Sequence, residues 1–199
     1  MERFMFTLMT ASSHSQDIKR SRFLAIAGPV ADEQAARDFI ADHAAADANH
    51  NCWAWRIGQN YRFNDDGEPS GTAGKPILQA IDGQELDCVA VVVTRWFGGI
   101  LLGSGGLMRA YGGTAALCLQ AAEKTRIVPK ISVDLEVLFS DLALLKSRLA
   151  ALADTGISAE QFIATGAVLT LSIPAADADG ILRMVTDLTS GRVVVDRQE

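Results

Sequence analysis

The sequence predicts an α+β protein of two domains, and three observations carry that expectation. Strand-like alternation and helix-like spacing are interleaved along the whole chain. A length of 199 residues suits one or two domains at about 100–200 residues each. Residue types that carry chemistry are also unevenly spread about Pro129–Lys130. Residues 1–130 hold 13 Lys+Arg against 14 Asp+Glu, 13 of the 17 glycines and all three histidines, whereas residues 131–199 hold 5 against 10. The division is therefore placed at 1–130 and 131–199, with recognition or chemistry expected in the first domain.

The first domain mixes both element types. Arg22–Ile26 reads as a strand, Asp32–Ala46 as an amphipathic helix and His50–Ile57 as a second strand. In that strand His50, Cys52 and Ala54 share one face while Trp53 and Trp55 share the other. A turn leads into a helix over Thr72–Ile81, followed by a mostly buried strand at Leu86–Trp96 that contains Cys88. A glycine-rich connection, Phe97 to Gly106, opens a helix from Ser104 to Lys124 with Cys118 among its apolar residues.

The second domain parses as β-α-β-β-α-β. Ile131–Phe139 alternates with Val133, Leu135 and Val137 on one face. Ser140 is the expected N-cap of a helix to Ala153 with a Leu142, Leu145, Leu149, Leu152 stripe, stopped at Gly156. Strands at Ile157–Ala164 and Ala167–Ile173 flank a Thr165-Gly166 turn. A helix over Ala175–Thr189 and a strand at Arg192–Asp196 finish the order, which is the ferredoxin-like one.

Composition excludes several classes. Hydrophobic residues make up 49% and charged residues 21%, which is too apolar for a disordered chain. The longest stretch without Asp, Glu, Lys or Arg, Gln161–Ala176, is shorter than the ~18–20 residues of a span and contains Pro174. Glu2 and Arg3 cancel, and the short apolar run Phe4–Met9 leads into Ser12-Ser13-His14-Ser15, unlike a signal peptide. Three cysteines in apolar settings read as reduced thiols. A cytoplasmic protein with no membrane partner is expected.

Two stretches hold most of the functional signal. Asp65-Asp66-Gly67-Glu68-Pro69 places three carboxylates in a stiff turn. Asp65, Asp66 and Glu68 are candidate ligands for a metal or another group, or an acid/base set. The alternative is a turn whose Asp side chains bond local backbone and cap the next helix. The EF-hand ligand pattern is missing. So is a Walker A loop, because Pro69 stands five before Gly74 and Pro76 replaces the Ser or Thr that would hold magnesium. His50 and Cys52 lack a second ligand pair for structural zinc. No confident metal site and no cofactor is expected.

The second stretch runs from Thr94 to Gly113. Gly98, Gly99, Gly103, Gly105 and Gly106 let backbone approach a ligand, and a helix N-terminus favours anions. Lys19, Arg22, Lys75, Arg95 and Arg109 are the candidate phosphate contacts, with Arg20 beside them.

These residues together resemble the IMPACT/YigZ family. Lys19, Ser21 and Phe23 fit its early Lys-x-Ser-x-Phe signature, His50-x-Cys52-x-Ala54-Trp55 its next block, and Asp65–Pro76 and Val91–Gly112 its two most diagnostic motifs. Trp96 stands where that family more often shows Tyr. The resemblance implies a first domain with the α/β sandwich fold of the second domain of the fifth small-subunit ribosomal protein, followed by a ferredoxin-like domain. Eukaryotic relatives of the first domain act in translational control by binding a regulator of an initiation-factor kinase, while bacterial members have no settled activity.

The leading expectation is a non-enzymatic, translation-associated protein whose first domain contacts RNA or the ribosome. The net charge of −6 argues against a generic electrostatic nucleic-acid binder but not against a local patch. One alternative is a small-molecule enzyme holding phosphate or nucleotide on the Gly103–Gly106 loop with the acidic turn. Another is a protein–protein module in translational control, anchored by Trp96, Phe97 and Tyr111.

Overall fold

The computed structural model describes residues 6–197; Met1–Met5, part of the segment weighed as a leader, lie outside the described residues. The chain divides into two compact units, Met1–Ile127 and Val128–Glu199.

The first unit is built on a five-stranded antiparallel sheet, ordered β2-β3-β6-β4-β5. Its strands are β2 (Ser12–Ile18), β3 (Ser21–Pro29), β4 (His50–Ile57), β5 (Asn60–Asn64) and β6 (Val89–Trp96). Central β6 reads Val-Ala-Val-Val-Val-Thr-Arg and is buried on both faces, which explains its near-continuous apolar run. Helices α2 (Gly74–Gly83) and α3 (Ser104–Ala121) cover one face, burying Ile77, Ile81, Leu107, Tyr111 and Leu119 against Phe23, Ala25, Cys52 and Val91. Helix α1 (Glu33–His43) covers the other through Ala36, against Trp55 and Ala90. Asp32 caps α1, its carboxylate accepting the Ala35 N–H at 2.8 Å. Short strands β1 (Phe6–Leu8) and β7 (Lys124–Arg126) pair beside the sheet.

Four strands escape the hydrophobic pattern for physical reasons. The half-buried side of β2 is polar except for Ile18, and Gln16 donates to the Thr114 hydroxyl at 2.6 Å where an apolar contact would otherwise mark the strand. β5 is an exposed edge, so nothing forces alternation. β1 and β7 have only three residues each. Cys88 precedes β6 rather than sitting within it, half-buried at a positive φ of 53°.

The second unit is ferredoxin-like. Strands β8 (Lys130–Leu138), β9 (Gly156–Ile163), β10 (Gly166–Pro174) and β11 (Val194–Arg197) form an antiparallel sheet ordered β11-β8-β10-β9. Val133, Leu135, Val137, Leu169 and Leu171 meet Leu145 and Leu149 of α4 (Phe139–Ala150) and Leu182 and Val185 of α5 (Ala178–Leu188) in its core. The expected Ser140 cap is replaced: α4 starts two residues earlier, after Leu138, and the Phe139 N–H is taken by the Thr165 carbonyl of the β9–β10 turn at 3.2 Å. The chain reverses after α4 at Asp154, with φ of 56°, rather than at Gly156, which opens β9.

Candidate functional site

Antiparallel pairing sets Phe23 opposite Arg95 and Arg95 opposite His50. These three form a row across the sheet where β3 and β4 begin and β6 ends. They lie on the face beneath α2 and α3, one row outside the buried Ala25, Val93 and Cys52. Arg95 is therefore turned inward. It is 5% exposed, and its Nη1 donates to Glu68 Oε1 at 2.6 Å. Tyr111 donates its hydroxyl to the same oxygen at 2.7 Å. His50 donates Nδ1–H to the Asp66 carbonyl at 2.7 Å, and its Nε2 lies 3.8 Å from Glu68. The Arg95 guanidinium also sits over Phe23 and Phe97, 5.5 and 5.2 Å from the ring centroids.

Burial sets the protonation states behind this row. Burial pushes the Tyr111 phenol far above its usual range, with Cys52 and Glu68 nearby adding to the effect, so it remains a neutral donor. Burial likewise pushes the Cys52 thiol up to about 12, which removes it as a nucleophile at neutral pH.

The acidic turn is internally bonded. Asp65 accepts the N–H groups of Gly71, Ala73 and Gly74 at 2.8, 3.0 and 2.8 Å, satisfying donors at the start of α2. Asp66 accepts the Asn51 N–H at 2.5 Å, and Glu68 serves Arg95 and Tyr111. The three candidate ligands thus face three different partners. Among the described residues no three His, Cys, Asp or Glu side chains gather to hold a metal ion.

Exposed cations stand on the elements that border the row. Lys19 and Arg20 are the two central residues of the β2–β3 hairpin, joining Ile18 to Ser21, and both have positive φ, 46° and 68°. That is the pattern of a type I′ turn, which ordinarily takes Asn-Gly. The turn is held from beneath: a Cβ on Gly98 would lie 1.9 Å from the Arg20 carbonyl oxygen, and the Ser21 hydroxyl accepts the Gly98 N–H at 3.2 Å. Arg22 is exposed and lies over the Trp96 ring at 4.1 Å. Lys75 is exposed in the first turn of α2 and Arg109 in the second turn of α3, and the two helices pack together where Pro76 meets Gly112.

The glycines divide by role. Gly98 is a packing glycine. Gly99 and Gly103 have φ of 86° and 70° with open space where a side chain would stand. Gly103 begins α3 without a side-chain cap, and Gly105 lies beneath the Arg109 guanidinium. Phe97 is 43% exposed and Leu101 83%, with Ile100 and Met108 also exposed.

Of the sequence-predicted cations, Lys19, Arg22, Lys75 and Arg109 face solvent, and Arg95 does not. The alternation of β6 decides this, since Arg95 shares the inward face with Val91 and Val93. Tyr111, expected as an exposed anchor, is fully buried in the first core. Its partnership with Glu68 went unpredicted; the signal available was a polar hydroxyl, beside that of Thr114, on the mostly apolar stripe of α3.

Every residue of this arrangement falls inside one matched segment. The model of the Impact N-terminal domain matches residues 19–119, from the hairpin tip to the core end of α3. An IMPACT family member from Thermus thermophilus is 43% identical over 181 residues, 90% of this chain and 99% of that protein. One from Haemophilus influenzae is 35% identical over 191 residues, 92% of each chain. IMPACT family member YigZ of Escherichia coli is 39% identical over 136 residues, 64% of this chain and 66% of that one. A solved crystal structure of a hypothetical protein, 31% identical, matches all of this chain and 99% of its own with a TM-score of 0.76. A shared fold along the full length, and a match that spans the hairpin tip, the row and the glycine loop, make this chain a member of the IMPACT family.

Proposed function

We propose that the first unit binds structured RNA, on the ribosome or in another translational complex, without catalysing a reaction. The observation that carries this reading is the Lys19–Arg20 turn. Two cationic side chains stand at adjacent left-handed positions, where Asn-Gly would relieve about 1–2 kcal/mol of strain per residue. Backbone strain of this kind collects where a side chain is needed for function. Lys75, Arg109 and Arg22 add exposed cations to the same unit, while Asp65 and Asp66 are engaged by backbone N–H groups and Glu68 is paired with Arg95. The net charge of −6 then limits binding to this one face rather than opposing it.

Co-sedimentation with ribosomes and their subunits at about 50 and 200 mM salt tests the reading. Wild type is expected to bind with strong salt dependence, and K19A/R20A/K75A/R109A to lose binding while keeping its fold. Binding that the quadruple variant retains, with an unchanged salt slope, would overturn the assignment. Arg95 is left intact because its loss would unbalance the buried Glu68.

A further inference from the structure

We infer that the RNA recognised by this face presents an unpaired nucleotide whose base stacks on Phe97. The inference rests on the RNA-binding reading above and names the class of RNA. The Arg95 guanidinium lies over the Phe97 ring, 5.2 Å from its centroid, and is itself buried against Glu68 and Phe23. The ring's backbone N–H is fixed by Asn49 Oδ1 at 2.8 Å, immediately after the last residue of β6. The aromatic plane is thus anchored from behind and on its main chain, yet remains 43% exposed.

Beside it, Ile100 and Leu101 stand in the open on a loop whose φ at Gly99 and Gly103 is positive. Arg20 packs on Gly98, the residue after Phe97, and the Arg109 guanidinium lies over Gly105 at the far end of the loop; Lys19 precedes Arg20 in the hairpin turn, Lys75 is exposed at the start of α2, and Asp17 is the carboxylate across the hairpin from Arg22.

Charge complementarity selects the occupant. A polyanion satisfies the cations, but a duplex offers them only phosphate and sugar and would leave Phe97, Ile100 and Leu101 facing charged backbone. A loop or bulge satisfies both parts, its phosphates reaching the rim while a splayed base covers the ring. An amphipathic acidic protein would also cover the apolar centre. The absence of any exposed hydrogen-bonding edge strand among Phe97–Gly103, and the single anchored aromatic plane, favour the base.

The test compares a blunt RNA duplex with a hairpin of the same stem and an open purine-rich loop, by fluorescence anisotropy against wild type, F97A, F97Y and K75A/R109A. The hairpin is expected to bind wild type about tenfold or more tightly than the duplex, with F97A losing most of that preference and F97Y keeping it. F97A is also expected to leave the salt slope unchanged, whereas K75A/R109A lowers it without changing the preference. Equal binding of hairpin and duplex, or a preference that F97A retains, would overturn the stacking inference while leaving RNA binding intact. Absence of binding to both RNAs by wild type, with retention on ribosomes that survives nuclease, would overturn both and point to a protein partner.

Discussion

Tyr111 and Arg95 converge on a single atom: the hydroxyl of one and Nη1 of the other reach Glu68 Oε1 at 2.7 and 2.6 Å. Helix α3 and strand β6 are thereby tied to the turn between β5 and α2 through one buried carboxylate. Such a device orders the loop before any partner arrives. The three acidic residues of the turn do not act as a set, since each is committed to different donors.

Glu68→Ala is expected to destabilise the first unit by about 3–5 kcal/mol, because it leaves the Arg95 charge buried without a counter-ion. Glu68→Ala with Arg95→Met should recover most of that loss, since replacing both charges removes the imbalance. Tyr111→Phe should lose about 1.5–3 kcal/mol, the range for a hydrogen bond to a charged group. Urea denaturation of wild type, Glu68→Ala, Arg95→Met and the double variant checks the cycle, with Tyr111→Phe measured beside them; additive losses from Glu68→Ala and Arg95→Met would show that the pair is not coupled.

Asp65→Ala removes one acceptor from three N–H groups at the start of α2, and a loss of at least about 2 kcal/mol is expected. Asp65→Asn should fall between, because its amide retains one acceptor oxygen and no charge. Adding magnesium or calcium to the wild type should leave its melting temperature unchanged, since the carboxylates do not converge. A clear metal-dependent rise in melting temperature would count against that account of the turn.

The thiols give a pH test. Burial raises the Cys52 pKa from 9.0 to about 12, so the folded state binds the proton more tightly than the unfolded one. The associated stability is present in full below pH 9 and declines as pH rises through about 12. Cys52→Ala should flatten this alkaline limb. At neutral pH, iodoacetamide is expected to label half-buried Cys88 well before Cys52 or Cys118, both fully buried, as peptide mapping would show.

Strands and helices whose inward positions are apolar were legible in the sequence. β4 runs from His50 to Ile57 as its alternation predicts, and β8 buries Val133, Leu135 and Val137. Legibility failed where polar groups take the place of packing. Gln16 and Thr114 join β2 to α3 by a hydrogen bond, and Asn49 and Asn51 secure the start of β4 to Phe97 and Thr94. At the candidate site, the cationic residues could be named from type and spacing. Which of them faces solvent could not, because the inward turn of Arg95 depends on its register opposite Phe23 and His50, and that register is set by pairing over long sequence distances.

The Lys19–Arg20 turn allows strain and function to be separated in one variant. Asn-Gly adopts positive φ at both positions with little penalty, so K19N/R20G should stabilise the first unit by about 1–3 kcal/mol. The same change removes two rim cations and is expected to weaken ribosome or RNA binding, lowering the salt slope by about one to two. Gly98→Ala provides the opposite perturbation. Its new Cβ would meet the Arg20 carbonyl oxygen at 1.9 Å, forcing the turn off the sheet and lowering both stability and binding. Measuring unfolding free energy and RNA affinity together distinguishes the cases. A K19N/R20G protein that is more stable and binds as well as wild type would mean that the strained turn is retained for some reason other than presenting its two charges.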